Sequence, residues 1–239
     1  FGPNASGKSN FLDALHLLSR IATSRTLKEA FEPPCRGKPL ESFAFGPEGI
    51  KGLLDQEAPS FTLEADIELS PATIDSVNRL IGELEHPRAN GKTGSNLATS
   101  KPFSFVKERF PRYRVTVEIL PKSGVLRIAH EYLAALNARG EPTGKRPPFL
   151  ERDTEKDRLY LRFEGQAHPT YYDRYWDHSI LSMPHYPPHY PHLVAMQREL
   201  ASWLFFYFEP PERIRARNPV KKVRHIGLMG EELASFLNT

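Results

Sequence analysis

The chain has 239 residues, of which 39% are hydrophobic and 26% charged, a balance typical of an ordinary globular protein. Its net charge of +3 permits an acidic partner without arguing strongly for one. The single cysteine, Cys35, excludes an internal disulfide, and the lack of a secretory leader or of an apolar run of about eighteen residues predicts a cytoplasmic protein without a membrane segment.

The first nine residues contain the pattern G-x-x-x-x-G-K-S from Gly2 to Ser9. Glycines at both ends let the backbone N–H groups of such a loop turn inward around phosphate oxygens. We expect Lys8 to reach the β- and γ-phosphates of a nucleoside triphosphate and the Ser9 hydroxyl to bind Mg²⁺. The predicted nucleotide-binding residues are Gly2, Pro3, Asn4, Ala5, Ser6, Gly7, Lys8, Ser9 and Asn10.

A helix is predicted directly after this loop, because Phe11, Ala14, Leu15 and Leu18 recur at helical spacing. A loop followed by an amphipathic helix is the setting that the motif requires. Only Phe1 precedes Gly2, so we expect the buried strand that normally leads into such a loop to lie before this residue. The chain is therefore expected to be a fragment of a longer protein.

The middle of the chain carries strand patterns. Apolar and polar residues alternate over Phe61–Leu69 and over Tyr113–Leu120, and the turn Pro121–Gly124 predicts a hairpin with Val125–Leu133. A further strand is predicted at Leu159–Phe163, after a turn at 137–144. Because turns rather than crossover helices join most of these segments, we predict an antiparallel meander.

Two longer helices are predicted around these strands. Ser70 is the expected N-cap of a helix over 70–85, with Pro71 at its first position. A second helix is predicted over Pro191–Leu204, and a short one from Gly230 to Leu237. The polar segment from His86 to Pro102 is predicted to be a mobile loop.

The two ends of the chain together carry a family resemblance. The run G-P-N-A-S-G-K-S-N-F-L-D-A-L resembles the opening of ATPases built on the ATP-binding-cassette (ABC) plan, including predicted AAA family ATPases related to RecF, the SMC proteins and the OLD nucleases. The segments 203–215 and 227–237 are similar to the part of those predicted ATPases that precedes the signature motif and the Walker B strand.

The resemblance implies an α/β (α+β) P-loop NTPase fold of the ABC-ATPase type, truncated at both ends. Residues 1–30 would hold the Walker A loop and its helix, 31–168 an antiparallel β subdomain, and 169–239 a helical segment leading towards a missing second lobe. It also implies ATP and Mg²⁺ as cofactors, with Lys8 as the catalytic residue and Ser9 as the metal ligand. ATP would be sandwiched between two protomers of a homodimer.

Several residues of such an ATPase are missing or uncertain. No signature motif and no apolar strand ending in Asp-Glu is present, so the fragment alone is expected to be inactive. Glu209 follows an apolar run, but an ordinary solvated carboxylate is the favoured interpretation there. Gln166 is the better placed of two candidates for the Q-loop glutamine, ahead of Gln197, although a solvated glutamine is again favoured.

Two other clusters allow a functional and a structural interpretation. His178, His185, His189 and His192 could bind Zn²⁺, but a proline-stiffened aromatic surface loop is favoured because no cysteine or carboxylate pair joins them. The basic run 213–225 could bind DNA or be a solvated charged segment. Its members are Arg213, Arg215, Arg217, Lys221, Lys222, Arg224 and His225.

The sequence therefore favours an ATPase that hydrolyses ATP on Mg²⁺ in its full-length form and serves DNA repair, chromosome maintenance or phage defence. Two alternatives stay open. One is a regulatory module that binds nucleotide without hydrolysing it. The other is a P-loop kinase of a small metabolite, which the strand-rich middle region fits poorly.

Overall fold

A computed structural model of the chain describes residues 8–32, 47–85, 104–144, 146–153, 155–156, 158–164, 169–172 and 176–205. The helices are α1 Lys8–Thr23, α2 Leu27–Ala30, α3 Ile50–Leu54, α4 Pro71–Glu85 and α5 Pro191–Ser202. The strands are β1 Ser60–Asp66, β2 Pro111–Leu120, β3 Val125–Ala135, β4 Leu150–Asp153, β5 Arg158–Leu161 and β6 Thr170–Tyr172.

The chain divides into two compact units. The first comprises Phe1–His16 with Trp203–Thr239, of which the structure describes 8–16 and 203–205; the second is Leu17–Ser202. In the first unit the rings of His16 and Phe205 stack with their centroids 4.8 Å apart. The sequence-based boundaries at 30 and 168 stay predictions.

The second unit contains a six-stranded sheet in which every strand pairs antiparallel with its neighbour in the order β1 to β6. The predicted meander is confirmed in these strands, and the mixture of helices with an antiparallel sheet agrees with the predicted α+β character. The sequence patterns missed the short strands β4 and β6, whose four and three residues are too few to show a period.

The alternation of apolar and polar residues along β2 determines which side of the sheet is buried. Tyr113, Val115, Val117 and Ile119 are at most 3% exposed, as the period of two predicts. The hairpin turn also forms where it was predicted, with Gly124 at φ +69°. β1 ends at Asp66, earlier than predicted, although the N–H of Ile67 still donates to the Pro111 carbonyl at 2.9 Å.

Helices α4 and α5 are linked at the start of α4. The Thr73 N–H donates to the Ser70 hydroxyl at 3.3 Å, so Ser70 is the N-cap that the sequence predicted. The same hydroxyl and the Ser70 N–H donate to the Glu199 carboxylate on α5, at 2.8 and 2.9 Å. Val77 and Ile81 bury the apolar face of α4, whereas Leu84 near its end is 39% exposed.

Candidate functional site

Helix α1 begins at Lys8, so the last two residues of the glycine-rich motif form its first turn. That turn contains no acidic residue, so no carboxylate of its own offsets the positive end of the helix dipole. Ser9 and Asn10 are exposed. The helix that the sequence predicts at the end of the motif is therefore confirmed.

The loop itself lies outside the described residues. Gly2, Pro3, Asn4, Ala5, Ser6 and Gly7 precede the first described position, and the side chain of Lys8 is likewise not described. Their roles stay predictions. Gln166, Glu209, the basic run 213–225, and the predicted loop 86–102 and helix 230–237 also lie outside the described residues.

The apolar stripe of α1 is buried only in its second half. Leu18, Ile21 and Ala22 are at most 2% exposed, whereas Phe11 is 64% exposed, so the expected burial of Phe11 is wrong. Leu18, Ile21 and Ala22 belong to the larger unit and are part of its core, whereas Phe11 belongs to the smaller unit.

Asp13 is a residue of α1 that the sequence analysis did not single out. One of its carboxylate oxygens, Oδ1, is buried and accepts no hydrogen bond from the described residues. A buried acceptor without a donor costs about 1–3 kcal/mol. The sequence offered no signal for this, because a single acidic residue in an amphipathic helix is normally assigned to its solvated face.

His192 does not lie in a surface loop. It is the second residue of α5 and is 1% exposed. Its Nδ1 lies 2.6 Å from Glu164 Oε2, and its Nε2 accepts the N–H groups of Lys107 and Glu108 at 3.1 and 3.0 Å. Because an acceptor nitrogen carries no proton, the ring is the neutral tautomer that donates from Nδ1 to Glu164. The expectation of a surface loop is thus wrong at this residue, since Pro191 begins a helix there.

The other three histidines each contact different partners. The Nε2 of His185 donates to the Ile180 carbonyl at 2.7 Å, and burial lowers the pKa of this ring. His189 packs on Phe163 with centroids 3.9 Å apart, and His178 contacts Asp177 at 2.8 Å. Over the described part of the chain, no group of three or more potential ligands could bind a metal ion.

Glu131 is a completely buried carboxylate in the middle of β3. It accepts hydrogen bonds from the hydroxyls of Tyr113 at 2.8 Å and Ser179 at 2.5 Å, and from the N–H groups of Ile180 and Leu181 at 2.7 and 3.2 Å. Burial raises the pKa of the Glu131 carboxyl, and these hydrogen bonds oppose the rise. The sequence could not indicate this cluster, because Tyr113, Glu131 and Ser179 lie 18 to 66 positions apart.

Among the described residues, no helix is both long and apolar enough to cross a membrane. Residues 1–74, less than a third of the chain, match a family model described as "AAA domain, putative AbiEii toxin, Type IV TA system". This match supports a nucleotide-binding, AAA-type P-loop NTPase. Searches of curated proteins and of solved structures find no match.

Proposed function

We propose that this chain is the ATP-binding portion of an ABC-type AAA family ATPase that hydrolyses ATP with Mg²⁺ in its full-length form. The observation that carries the proposal is the sequence Gly2–Ser9, whose last two residues, Lys8 and Ser9, begin helix α1. The family match over 1–74 includes both features. A loop of this pattern entering a helix N-terminus is the arrangement that binds a polyphosphate.

Each part of the motif has a separate task in the proposed reaction. The backbone N–H groups of this loop, which Pro3 lacks, would surround the phosphates, and Ser9 would hold the Mg²⁺ that offsets their negative charge. Lys8 stabilises the negative charge that develops on the γ-phosphate during transfer to water. In our proposal, a Walker B glutamate of the full-length protein orients this water.

The proposal that the ATPase is of the ABC type rests on the resemblance of both ends of the chain to ABC-type ATPases. In that assignment ATP is sandwiched between two protomers, and the protein serves DNA repair, chromosome maintenance or phage defence. The exposed Ser9 and Asn10 at the start of α1 are compatible with a nucleotide at that end of the helix. The antiparallel topology of the described sheet is evidence in favour of the proposed β subdomain.

The test is ATP turnover by the full-length protein carrying Lys8→Ala, measured as phosphate release with Mg²⁺. We expect a loss of at least a hundredfold, because the substitution removes a charge that acts in the transition state. Lys28→Ala is the matched control, since Lys28 is an exposed lysine on α2 and its loss should leave turnover unchanged. Retained turnover in Lys8→Ala would contradict the assigned role.

ATP binding, measured by calorimetry on the same proteins, separates the proposal from its alternative. Binding with Mg²⁺-dependent turnover supports an ATPase. Binding without turnover in the unmodified full-length protein would instead favour a regulatory nucleotide-binding module.

A further inference from the structure

An open cleft of about 320 Å³ lies in the larger unit, and none of its lining residues belongs to the motif Gly2–Ser9. Its walls come from three segments, 104–107 before β2, 146–149 before β4, and 162–164 after β5. In an antiparallel meander the start of β2, the start of β4 and the end of β5 share one end of the sheet. The cleft is at the low end of the volume range of small-ligand sites, about 300–1,000 Å³.

Hydrogen-bond donors dominate the polar part of this cleft. Lys107, Arg146 and Arg162 all line it. The Nε of Arg162 is buried and has no acceptor among the described residues, although the Nη2 of the same guanidinium donates to Glu151. This nitrogen has almost no accessible surface, so a ligand in the cleft meets the other, partly exposed atoms of the Arg162 side chain.

The nearby carboxylates leave these donors available. Glu164 also lines the cleft, but its two oxygens accept the N–H and the Nδ1–H of His192 at 3.0 and 2.6 Å. Glu108 lies 3.8 Å from Arg146, a long ion pair that leaves most of the guanidinium donors unused. A ligand rich in anionic acceptor atoms therefore complements the donors of this cleft.

The remaining lining is aromatic or apolar. Phe105 and Phe163 are partly exposed, Pro147 is exposed, and Phe149 forms a buried wall. One face of Phe149 stacks on the His192 ring with centroids 4.4 Å apart. A flat ring on the ligand could pack against Phe105 or Phe163, as bases do on the aromatic side chains of nucleic-acid-binding proteins.

Backbone hydrogen bonds hold the three segments in place without a ligand. The Arg162 N–H donates to the Phe149 carbonyl at 2.9 Å, and the Phe149 N–H to the Leu133 carbonyl of β3 at 2.8 Å. On the opposite side, His192 fixes the N–H groups of Lys107 and Glu108. Preorganisation of this kind lowers the entropic cost of binding.

From this combination we propose that the cleft binds a phosphorylated nucleotide unit, either a free mononucleotide or one unit of a single-stranded nucleic acid. The phosphate oxygens accept hydrogen bonds from Lys107 and from the guanidinium groups of Arg162 and Arg146. The base packs on Phe105 or Phe163. A nucleotide carries an anionic phosphate for the basic side chains and a flat ring for the aromatic side chains, whereas an acidic side chain carries only the anion.

The test measures fluorescence anisotropy of a labelled ten-residue oligothymidylate with the 239-residue chain, and its displacement by unlabelled dTMP and by inorganic phosphate. We expect Lys107→Gln and Arg146→Gln to weaken binding and each to lower the salt dependence by about one counterion. Phe105→Ala should weaken it by about fivefold or more through lost stacking. Arg162→Lys keeps a cation beside Glu151 but removes the planar guanidinium group, and should also weaken binding.

The matched control is Lys122→Gln, which removes the same charge from an exposed lysine in the turn before Gly124 and should leave affinity unchanged. Thermal unfolding of each variant verifies that it is folded. If dTMP and the oligomer bind with equal affinity, the ligand is a free nucleotide. If the oligomer binds much more tightly than dTMP, the ligand is a nucleic acid. Both results support the proposal.

Four results would overturn it. These are no binding of either probe, displacement by inorganic phosphate as effective as by dTMP, preferential binding of a glutamate-rich peptide, and unchanged affinity in folded cleft variants. The last would place binding elsewhere, for example on the basic run 213–225. In the Lys8→Ala background, oligomer binding should persist while ATP binding is lost, so this proposal and the proposed function fail or succeed separately.

Discussion

At the scale of single residues, the structure depends on a few polar groups whose partners lie far away in the chain. Glu131 connects β3 and β2 to the segment 179–181, and Glu164 connects the end of β5 to the first turn of α5. Both oxygens of each carboxylate accept hydrogen bonds from groups of the protein. Removing such an acceptor leaves buried donors unsatisfied, which costs more than the hydrogen bond contributed.

Glu131→Gln is expected to lower the free energy of unfolding by about 1–3 kcal/mol. The substitution keeps the size of the side chain but places an NH₂ group where a carboxylate oxygen now accepts either the Ile180 N–H or the donors on the other side. Urea unfolding measures the change. Glu83→Gln, on the exposed side of α4, should change it by no more than about 0.5 kcal/mol. Equal stability of the two variants would show that the buried carboxylate is not needed.

Asp66 offers a prediction about pH. It faces Arg112 across β1 and β2, with Nε–Oδ1 and Nη2–Oδ2 distances of 2.6 and 2.7 Å, and the hydrogen bond from Arg112 lowers the pKa of the Asp66 carboxyl. A carboxyl with a lowered pKa stabilises the fold above its ordinary value of 3.8, and this contribution is lost as the pH falls through the lowered value.

Asp66→Asn should therefore destabilise the protein at pH 7, by less than about 1 kcal/mol because the pair is partly exposed. The difference from the unmodified protein should shrink on acidification below pH 4 or so. Denaturant unfolding at several pH values measures it, with Glu57→Gln in an exposed loop as the control. A difference that grows on acidification would contradict the assigned role of the pair.

At the scale of elements, local backbone preferences decide where strands and helices end. The β2–β3 hairpin turns at Gly124, whose φ of +69° lies in the left-handed region, and a Cβ there would have no neighbour within 4 Å. Gly82 also has open space around it, but it lies inside helix α4 with an ordinary φ. Both glycines therefore leave room for a Cβ, but only Gly124 has a positive φ.

This difference predicts stability changes of opposite sign. Gly124→Ala should destabilise the protein by about 1–2 kcal/mol, because an L residue is strained at positive φ. Gly82→Ala should stabilise it by about 0.5–1 kcal/mol, because alanine loses less backbone entropy in a helix. Thermal or urea unfolding of both variants measures the changes. A shift of the same sign in both would show that something other than φ governs these positions.

At the scale of the whole molecule, the proposed ATP sandwich requires two copies of the full-length protein. We expect ATP with Mg²⁺ to convert the full-length protein from monomer to dimer, because each nucleotide would contact both protomers. Light scattering after gel filtration measures the mass with and without ATP. Lys8→Ala should stay monomeric, whereas Lys28→Ala should dimerise. A mass that does not change with ATP in the unmodified protein would rule out the sandwich.

The sequence by itself determined the features that depend on neighbouring residues. Glycine spacing predicted a phosphate-binding motif, a period of two predicted β1 and β2, the turn 121–124 predicted the hairpin with β3, and Ser70 with Pro71 marked the start of α4. Each of these signals is contained in a short window of the chain. The tertiary structure alone decided which distant groups meet: Tyr113 and Ser179 on Glu131, Glu164 on His192, and the Arg162 cleft. No local pattern encodes such contacts, because the strand pairing that brings these residues together arises only when the whole sheet packs.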